Sequence, residues 1–186
     1  MAPRSLPRRA WRRRRVPISI ALLAVALVAL VASGPWRALG LVASVIAWRF
    51  PDAPRISQEA LDAALRQGQA SGPVLLDVRT AAEFAVSHLR GAVRIDPRRD
   101  LVGQLGERPR GPVVVYCAVG YRSAVATRLL QAQGVRDVRN LQGGIFAWAN
   151  GGRPVFRGDR VVRGVHPYDP LWGTLLRRPL HARTPR

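Results

Sequence analysis

One stretch of this chain joins a short strand, a tight loop and a helix, and it constrains the fold more than any other. A continuous apolar run at 113–116 follows Gly111-Pro112 and predicts a strand buried on both faces. The segment 123–133 is rich in Ala, Leu and Arg and predicts a helix, with Gly134 as its C-cap. The loop between them, 117–122, contains the only cysteine of the chain. This pattern is typical of an α/β fold with a parallel sheet.

The position of Cys117 has a chemical consequence. Backbone N–H groups of a loop between a strand and a helix N-terminus can converge on one point, where the helix dipole adds positive charge. An anionic sulfur is stabilised there, so we expect Cys117 to be a nucleophile near neutral pH. Gly120 supplies the positive φ that so tight a loop requires, and Arg122 places a cation at its rim. The alternative is a small buried cysteine at a strand end, with a structural role only.

Three motifs lie in order along residues 75–148. The first is Leu-Leu-Asp-Val-Arg at 75–79, followed by Glu-Phe at 83–84 and His-Leu-Arg-Gly-Ala at 88–92. The loop Cys-Ala-Val-Gly-Tyr-Arg-Ser begins at Cys117, and Leu-Gln-Gly-Gly-Ile-Phe-Ala-Trp ends at 148. Together they resemble the single-domain rhodaneses, a family of sulfurtransferases. The resemblance implies a rhodanese-like parallel sheet with helices on both faces.

The same resemblance implies the chemistry of the site. Cys117 is the expected catalytic residue, which takes sulfane sulfur from thiosulfate or another persulfide donor and passes it to a thiol acceptor. No cofactor is implied. The residues of the loop that follow it are expected to bind the substrate anion, and these are Ala118, Val119, Gly120, Tyr121 and Arg122. Because the side chains at 118, 119 and 121 are uncharged, a protein or small-molecule persulfide is as good a candidate donor as thiosulfate.

Three polar residues upstream receive structural interpretations. Asp77 and Arg79 are expected to support the loops, with Glu83 as one candidate partner for Arg79 because it lies one turn further on. Thr80 and Glu83 form a capping-box pattern that opens a short helix. His88 is expected to pack or to form a hydrogen bond rather than to act as a base. The three histidines are far apart in sequence and have no cysteine or carboxylate cluster beside them, so we predict no metal site.

Two other functions fit parts of the pattern. A non-catalytic rhodanese-like binding module at the membrane is the main alternative, although such modules are expected to lose the cysteine that this chain keeps. A cysteine phosphatase is the less favoured alternative. Between Cys117 and Arg122 the chain has one residue fewer than phosphatase loops of related architecture, and Tyr116 stands where they usually have histidine.

The N-terminal part of the chain predicts a membrane anchor. Residues 1–15 contain seven arginines, and residues 16–36 contain no charge and are dense in Leu, Val and Ala. That length suffices for a helix across the hydrocarbon core of a bilayer. The basic residues predict a cytoplasmic N-terminus and a single pass through the inner, or cell, membrane. A cleaved secretory signal is the alternative, and a buried soluble helix is less favoured than either.

A second apolar stretch, Ala38 to Trp48, is too short to cross a bilayer. We expect it to lie in the membrane interface, as part of a linker over 37–54, or to complete a re-entrant hairpin. A single span places the following domain outside the cytoplasm, whereas a hairpin returns it to the cytoplasm. The lipid bilayer is therefore an expected partner on either interpretation.

The remaining chain divides into a rhodanese-like domain over 55–153 and an extension over 154–186. In the extension, Gly158-Asp159 predicts a hairpin turn. Apolar residues spaced as on a helix near 168–176 suit a membrane surface or, more commonly, docking onto the domain. The net charge of +19 comes from 30 arginines without any lysine and lies mostly in the flanking segments. With no aromatic-interleaved basic stripe in the domain, we expect no nucleic-acid partner.

Overall fold

The centre of the fold is a five-stranded sheet. The structure, a computed structural model, describes residues 34, 37–67, 72–106, 109 and 111–182. The strands are β1 (Arg55–Ile56), β2 (Val74–Asp77), β3 (Val93–Arg94), β4 (Val113–Tyr116) and β5 (Val138–Leu141). Their order across the sheet is β1-β5-β4-β2-β3, and every neighbouring pair is parallel. The prediction of an α/β fold with a parallel sheet is therefore confirmed.

Helices cover both faces of this sheet. They are α1 (Ala38–Arg49), α2 (Gln58–Arg66), α3 (Ala81–Val86), α4 (Tyr121–Ala132) and α5 (Gly144–Asn150). Along β4, Val114 and Tyr116 join one core cluster, whereas Val113 and Val115 join the other. All four residues of β4 are buried. The uninterrupted apolar run at 113–116 thus reflects a strand with a hydrophobic core on each side.

Local signals in the sequence begin the helices. The Ser57 side chain accepts a hydrogen bond from the Ala60 backbone at 3.1 Å and caps α2. At α3, the Thr80 side chain accepts from the Glu83 backbone, and the Glu83 carboxylate accepts from the Thr80 backbone. The capping box predicted at this position is confirmed. It also fixes the place of the Glu83 carboxylate at the start of the helix.

Helix α1 packs against the domain along one face. Leu39 and Ile46 are buried in the same core cluster as α5 residues, and Phe50 after the helix is buried as well. The Phe50 ring meets Tyr121 of α4 edge to face at 5.2 Å. The opposite face of α1 is exposed and apolar, with Trp48 81% exposed. This stretch, expected as an interfacial linker, is a helix docked beside the active-site loop.

The C-terminal extension also docks. Strands β6 (Val155–Arg157) and β7 (Arg160–Val162) pair in an antiparallel hairpin with Gly158-Asp159 at its turn, as predicted. Further on, Leu175 and Leu176 are buried in the core cluster. The Asn150 side chain donates to the Leu175 carbonyl at 2.8 Å and accepts from the Arg177 backbone at 2.9 Å. Docking onto the domain, the commoner of the two expected outcomes, is therefore confirmed.

The predicted span at 16–36 lies outside the described residues except for Gly34. Within the part of the chain that the structure describes, no helix combines the length and the apolar character needed to cross a membrane.

Candidate active site

Cys117 lies at the carboxyl end of β4, at the centre of the sheet. Its sulfur accepts a hydrogen bond from the Gly120 backbone N–H at 3.2 Å and from the Ser123 hydroxyl at 3.4 Å. Gly120 has a φ of 107°, which confirms the left-handed conformation predicted for it. Because α4 begins at the next residue, the positive end of its dipole lies beside the sulfur. Both donors and the dipole stabilise negative charge on this sulfur.

The carbonyl groups of the loop point to other partners. The Cys117 and Ala118 carbonyls accept hydrogen bonds from the backbones of Ile145 and Phe146, at 2.9 and 3.0 Å. The Gly120 carbonyl accepts from the Asn140 side chain at 3.0 Å. These bonds tie the loop to the start of α5 and to β5. The loop therefore has a fixed shape before any substrate binds.

Gly144, the first residue of α5, allows this close approach. It has a φ of +56°, and a Cβ atom there would collide with the carbonyl oxygens of Cys117 and Ala118. No side chain can be placed at 144 without moving the active-site loop. The second glycine of the Gly-Gly pair in the third sequence motif is therefore required by the close approach of the Cys117 loop.

Replacing Gly144 with alanine is expected to lower the free energy of unfolding by at least about 2 kcal/mol, from backbone strain plus the collision. It should also lower sulfur transfer by Cys117, because the loop moves. Chemical denaturation and donor consumption measure the two effects. Gly152→Ala is the matched control, since Gly152 has a φ of +76° but open space around it. Equal effects of the two substitutions would contradict the role assigned to Gly144.

Arg122 forms a partly buried ion pair with Glu83 of α3. The two terminal guanidinium nitrogens donate to the two carboxylate oxygens, at 3.0 and 2.8 Å, and the Glu83 side chain is 2% exposed. The guanidinium also lies over the Tyr168 ring at 4.8 Å. Burial lowers the pKa of Arg122, but the Glu83 hydrogen bonds and the nearby Cys117 outweigh it and raise that pKa above its ordinary value. The predicted positive charge of Arg122 is therefore present at the rim of the loop, and Glu83 partly neutralises it.

Burial raises the pKa of Glu83, but the hydrogen bonds from Arg122 and Thr80 outweigh it and hold that pKa below its ordinary value of 4.5. A lowered pKa in the folded state stabilises the fold above pH 4.5, and this stabilisation is lost as pH falls through the folded pKa. Glu83→Gln keeps the capping box and removes the charge. It is expected to cost about 1–3 kcal/mol near neutral pH.

Unfolding free energies measured from neutral pH downward should show the difference between wild type and Glu83→Gln shrinking below pH 4.5. Asp62→Asn is the control, because the Asp62–Arg66 pair is an exposed pair on the helix surface, where such pairs contribute under about 1 kcal/mol. A constant difference for Glu83→Gln across the acid range would argue against the ion pair.

Asp77 and Arg79 form a second ion pair, entirely buried below the loop. The Arg79 guanidinium donates to both carboxylate oxygens of Asp77 at 2.7–3.0 Å and to the Ser87 carbonyl at 2.6 Å. Neither side chain is exposed. The pairing of Arg79 with Glu83 considered from the sequence is wrong, because Glu83 pairs with Arg122 instead. No contact between this pair and Cys117 is observed among the described residues, which agrees with a supporting role.

His88 packs, as its sequence interpretation held. Its ring stacks on Phe84 with a centroid distance of 4.2 Å, and its Nδ1 lies 2.9 Å from the Leu89 carbonyl. Its Nε2 accepts from the Gly158 backbone at 3.3 Å. The ring therefore joins α3 to the turn of the C-terminal hairpin.

A cavity of about 460 Å³ opens above Cys117. Cys117 itself is 1% exposed, so this cavity is the approach to its sulfur. Its floor consists of loop residues, among them Ala118 and Val119, and its rim includes Tyr121 and Arg122. Four of the five predicted anion-binding residues line this cavity, and the fifth, Gly120, donates its N–H to the sulfur. Whether their amides hold an anion stays a prediction.

The sequence interpretation missed three residues that shape the loop: Ser123, Asn140 and Gly144. Asn140 carried a signal, since it is a polar residue within a short strand pattern of a buried sheet. A buried polar side chain requires a partner, and the carbonyl of a neighbouring loop supplies one. The other two roles depend on contacts between segments distant in sequence.

Comparison with known proteins agrees with this geometry. The family model described as the rhodanese-like domain matches residues 57–151. The chain belongs to the rhodanese-like domain family. A sulfurtransferase from Allochromatium vinosum is 40% identical to it over 83 residues, which cover 44% of this chain and 77% of that protein. The thiosulfate sulfurtransferase GlpE from Pseudomonas putida is 33% identical over 85 residues, covering 46% of this chain and 77% of that protein.

Among solved structures, the thiosulfate sulfurtransferase from Pseudomonas aeruginosa superposes with a TM-score of 0.52 at 20% identity. The match covers 73% of this chain and 26% of that one, and it supports the fold. The rhodanese-like domain is thus confirmed. Helix α1 and the whole C-terminal extension, 154–186, lie outside the family match.

Proposed function

We propose that this chain is a membrane-anchored, rhodanese-type sulfurtransferase that carries sulfane sulfur as a persulfide on Cys117. The observation that carries the proposal is the sulfur of Cys117, which accepts the Gly120 N–H bond at a helix N-terminus and adjoins a cavity. The two sulfurtransferases named above support it, because this chain spans most of their length. A non-catalytic binding module would need neither the hydrogen bond to the Cys117 sulfur nor a cavity beside it.

The transfer has two steps. The Cys117 thiolate attacks the sulfane sulfur of the donor, and the S–S bond of the donor breaks with its electron pair leaving on the other fragment, which is sulfite when thiosulfate is the donor. The product is a persulfide anion on Cys117. The thiolate of an acceptor then attacks the outer sulfur, takes it as a persulfide and releases the Cys117 thiolate. No net oxidation occurs.

The loop performs a defined task in these steps. The outer sulfur of the persulfide is anionic, and we expect the backbone N–H groups of 118–122 to hold it, with Arg122 adding positive charge at the rim. Because Glu83 already offsets the charge of Arg122, that contribution is smaller than a free guanidinium would give.

The decisive experiment is mass spectrometry of the purified chain after incubation with thiosulfate and, separately, with an organic persulfide. We expect the addition of one sulfur atom, mapped to the peptide that contains Cys117 and removed by a thiol or by cyanide. If no sulfane donor adds sulfur to Cys117, the proposal is overturned in favour of a rhodanese-shaped binding module.

The membrane anchor is proposed for residues 16–36, with a cytoplasmic N-terminus. Its support is the uncharged segment of sufficient length after a block of arginines. The buried Leu39 and Ile46 favour a single span over a hairpin, because α1 is docked on the domain. A single span places the domain outside the cytoplasm.

Two measurements test the anchor. The full chain should sediment with membranes and resist extraction by high salt, which removes proteins held by charge alone. In intact cells, a membrane-impermeant thiol reagent should label Cys117, with a permeant reagent as control for its reactivity. Release by salt contradicts the anchor, and labelling only by the permeant reagent contradicts the single span.

A further inference from the structure

The cavity above Cys117 is built largely by segments outside the family match. One wall is the exposed side of α1, through Leu41, Val42 and Val45, and the other includes Tyr168 and Trp172 of the C-terminal extension. The matched domain over 57–151 supplies the loop and the sulfur. Most of the wall residues therefore lie outside the matched domain.

Both walls are held firmly in place. Helix α1 is held by its buried Leu39 and Ile46 and by Phe50, which is buried just after it. On the other side, the Tyr168 ring lies under the Arg122 guanidinium, and the Trp172 backbone donates to the Asp169 carboxylate at 2.8 Å. The pocket is therefore largely formed before a ligand binds, as is usual for small-molecule sites.

The chemistry of the pocket disfavours a small inorganic dianion. Among the described residues that line it, Arg122 is the only charged one, and Glu83 pairs with both of its terminal guanidinium nitrogens. The remaining lining is aliphatic or aromatic. A volume of about 460 Å³ is typical of pockets that enclose organic ligands. A dianion entering this space would lose hydration without gaining a free cation.

We infer that the pocket selects an organic sulfur compound with an aliphatic or aromatic body, which rests against α1 and Trp172 while its sulfur reaches Cys117. This inference depends on the proposed sulfur transfer and names its substrate class. The donor is a persulfide or thiosulfonate, R–SO₂–S⁻ in the second case. The Cys117 thiolate takes the terminal sulfur, and the S–S electron pair leaves with R–SO₂⁻ from a thiosulfonate or with R–S⁻ from a persulfide.

The test compares two thiosulfonate donors that differ only in the organic group R, the anions of methanethiosulfonic and benzenethiosulfonic acid. For the purified full chain, kcat/KM should favour the benzene donor by about tenfold or more beyond the ratio of the two reactions with a free thiol in solution. Val45→Asn, which makes the α1 wall polar, should reduce this preference by about threefold or more.

Trp48→Asn is the matched control. Trp48 lies on the same helix, is 81% exposed and does not line the pocket. The Trp48→Asn variant should therefore prefer the benzene donor as strongly as the wild type does. If Cys117 gains sulfur from both donors at the solution ratio, or if both variants change the preference equally, the inference is overturned and the proposed transfer stands.

If a lipid covers the pocket, adding phosphatidylcholine vesicles abolishes the preference, which also overturns the inference. If neither donor adds sulfur to Cys117, the proposed transfer fails and this inference fails with it.

Discussion

Replacing Cys117 with serine is expected to abolish sulfur transfer, with donor turnover reduced on the order of a thousandfold or more. The serine hydroxyl is not ionised at neutral pH and cannot form a persulfide. Its oxygen can still accept the hydrogen bonds that Gly120 and Ser123 donate to the sulfur, at 3.2 and 3.4 Å, so the loop should keep its shape. Sulfite release from thiosulfate in the presence of an acceptor thiol measures the loss.

Thermal unfolding of Cys117→Ser is the control for folding, and its midpoint should stay close to that of wild type. The chain has no second cysteine to take over the reaction. Turnover in Cys117→Ser comparable to wild type would therefore show that the sulfur is not the nucleophile. A binding role for the domain would then replace the proposed transfer.

Replacing Arg79 with methionine should lower the free energy of unfolding by about 3–5 kcal/mol. The substitution leaves the Asp77 carboxylate buried without its cation, and neither side chain of this pair is exposed. The Ser87 carbonyl loses a donor as well. Denaturant titration followed by circular dichroism measures the change, and the linear dependence on denaturant gives the free energy.

The chain contains a matched control for this substitution. Arg139 pairs with Asp137 at the same spacing of two residues, at 2.8 Å, but both side chains are about half exposed. Arg139→Met is therefore expected to cost under about 1 kcal/mol. In the double variant Asp77→Asn/Arg79→Met, part of the loss should be recovered, because no uncompensated charge remains. The effect of Asp77→Asn alone on the free energy of unfolding is measured as well. If adding Asp77→Asn to Arg79→Met lowers that free energy by the same amount as it does in the wild type, the two residues are not coupled.

Local signals in the sequence predicted much of the fold. The strand at 113–116, the positive φ of Gly120, the capping box at Thr80 and the hairpin turn at Gly158-Asp159 are all confirmed. Each of these features depends on neighbours along the chain. Backbone preference, side-chain capping and an apolar run are readable without the fold.

Other features depended on contacts between distant segments. The apolar stretch after Arg37 fits a membrane interface or a protein surface equally well, and only the positions of Leu39 and Ile46 in the core place it on the domain. The partner of Arg122 is Glu83, which is distant in the chain. The Asp77–Arg79 pair had a readable signal, because residues two apart in extended chain face the same side.

The two walls of the pocket are made at different times during synthesis. Helix α1 precedes the Cys117 loop in the chain, and Trp172 follows it, so the ribosome completes the wall with Trp172 last. A nascent chain whose Trp172 is still within the ribosome therefore lacks this wall of the pocket. If the pocket selects its donor as proposed, that selectivity is complete only when the extension has left the ribosome and docked, so it is acquired last during synthesis.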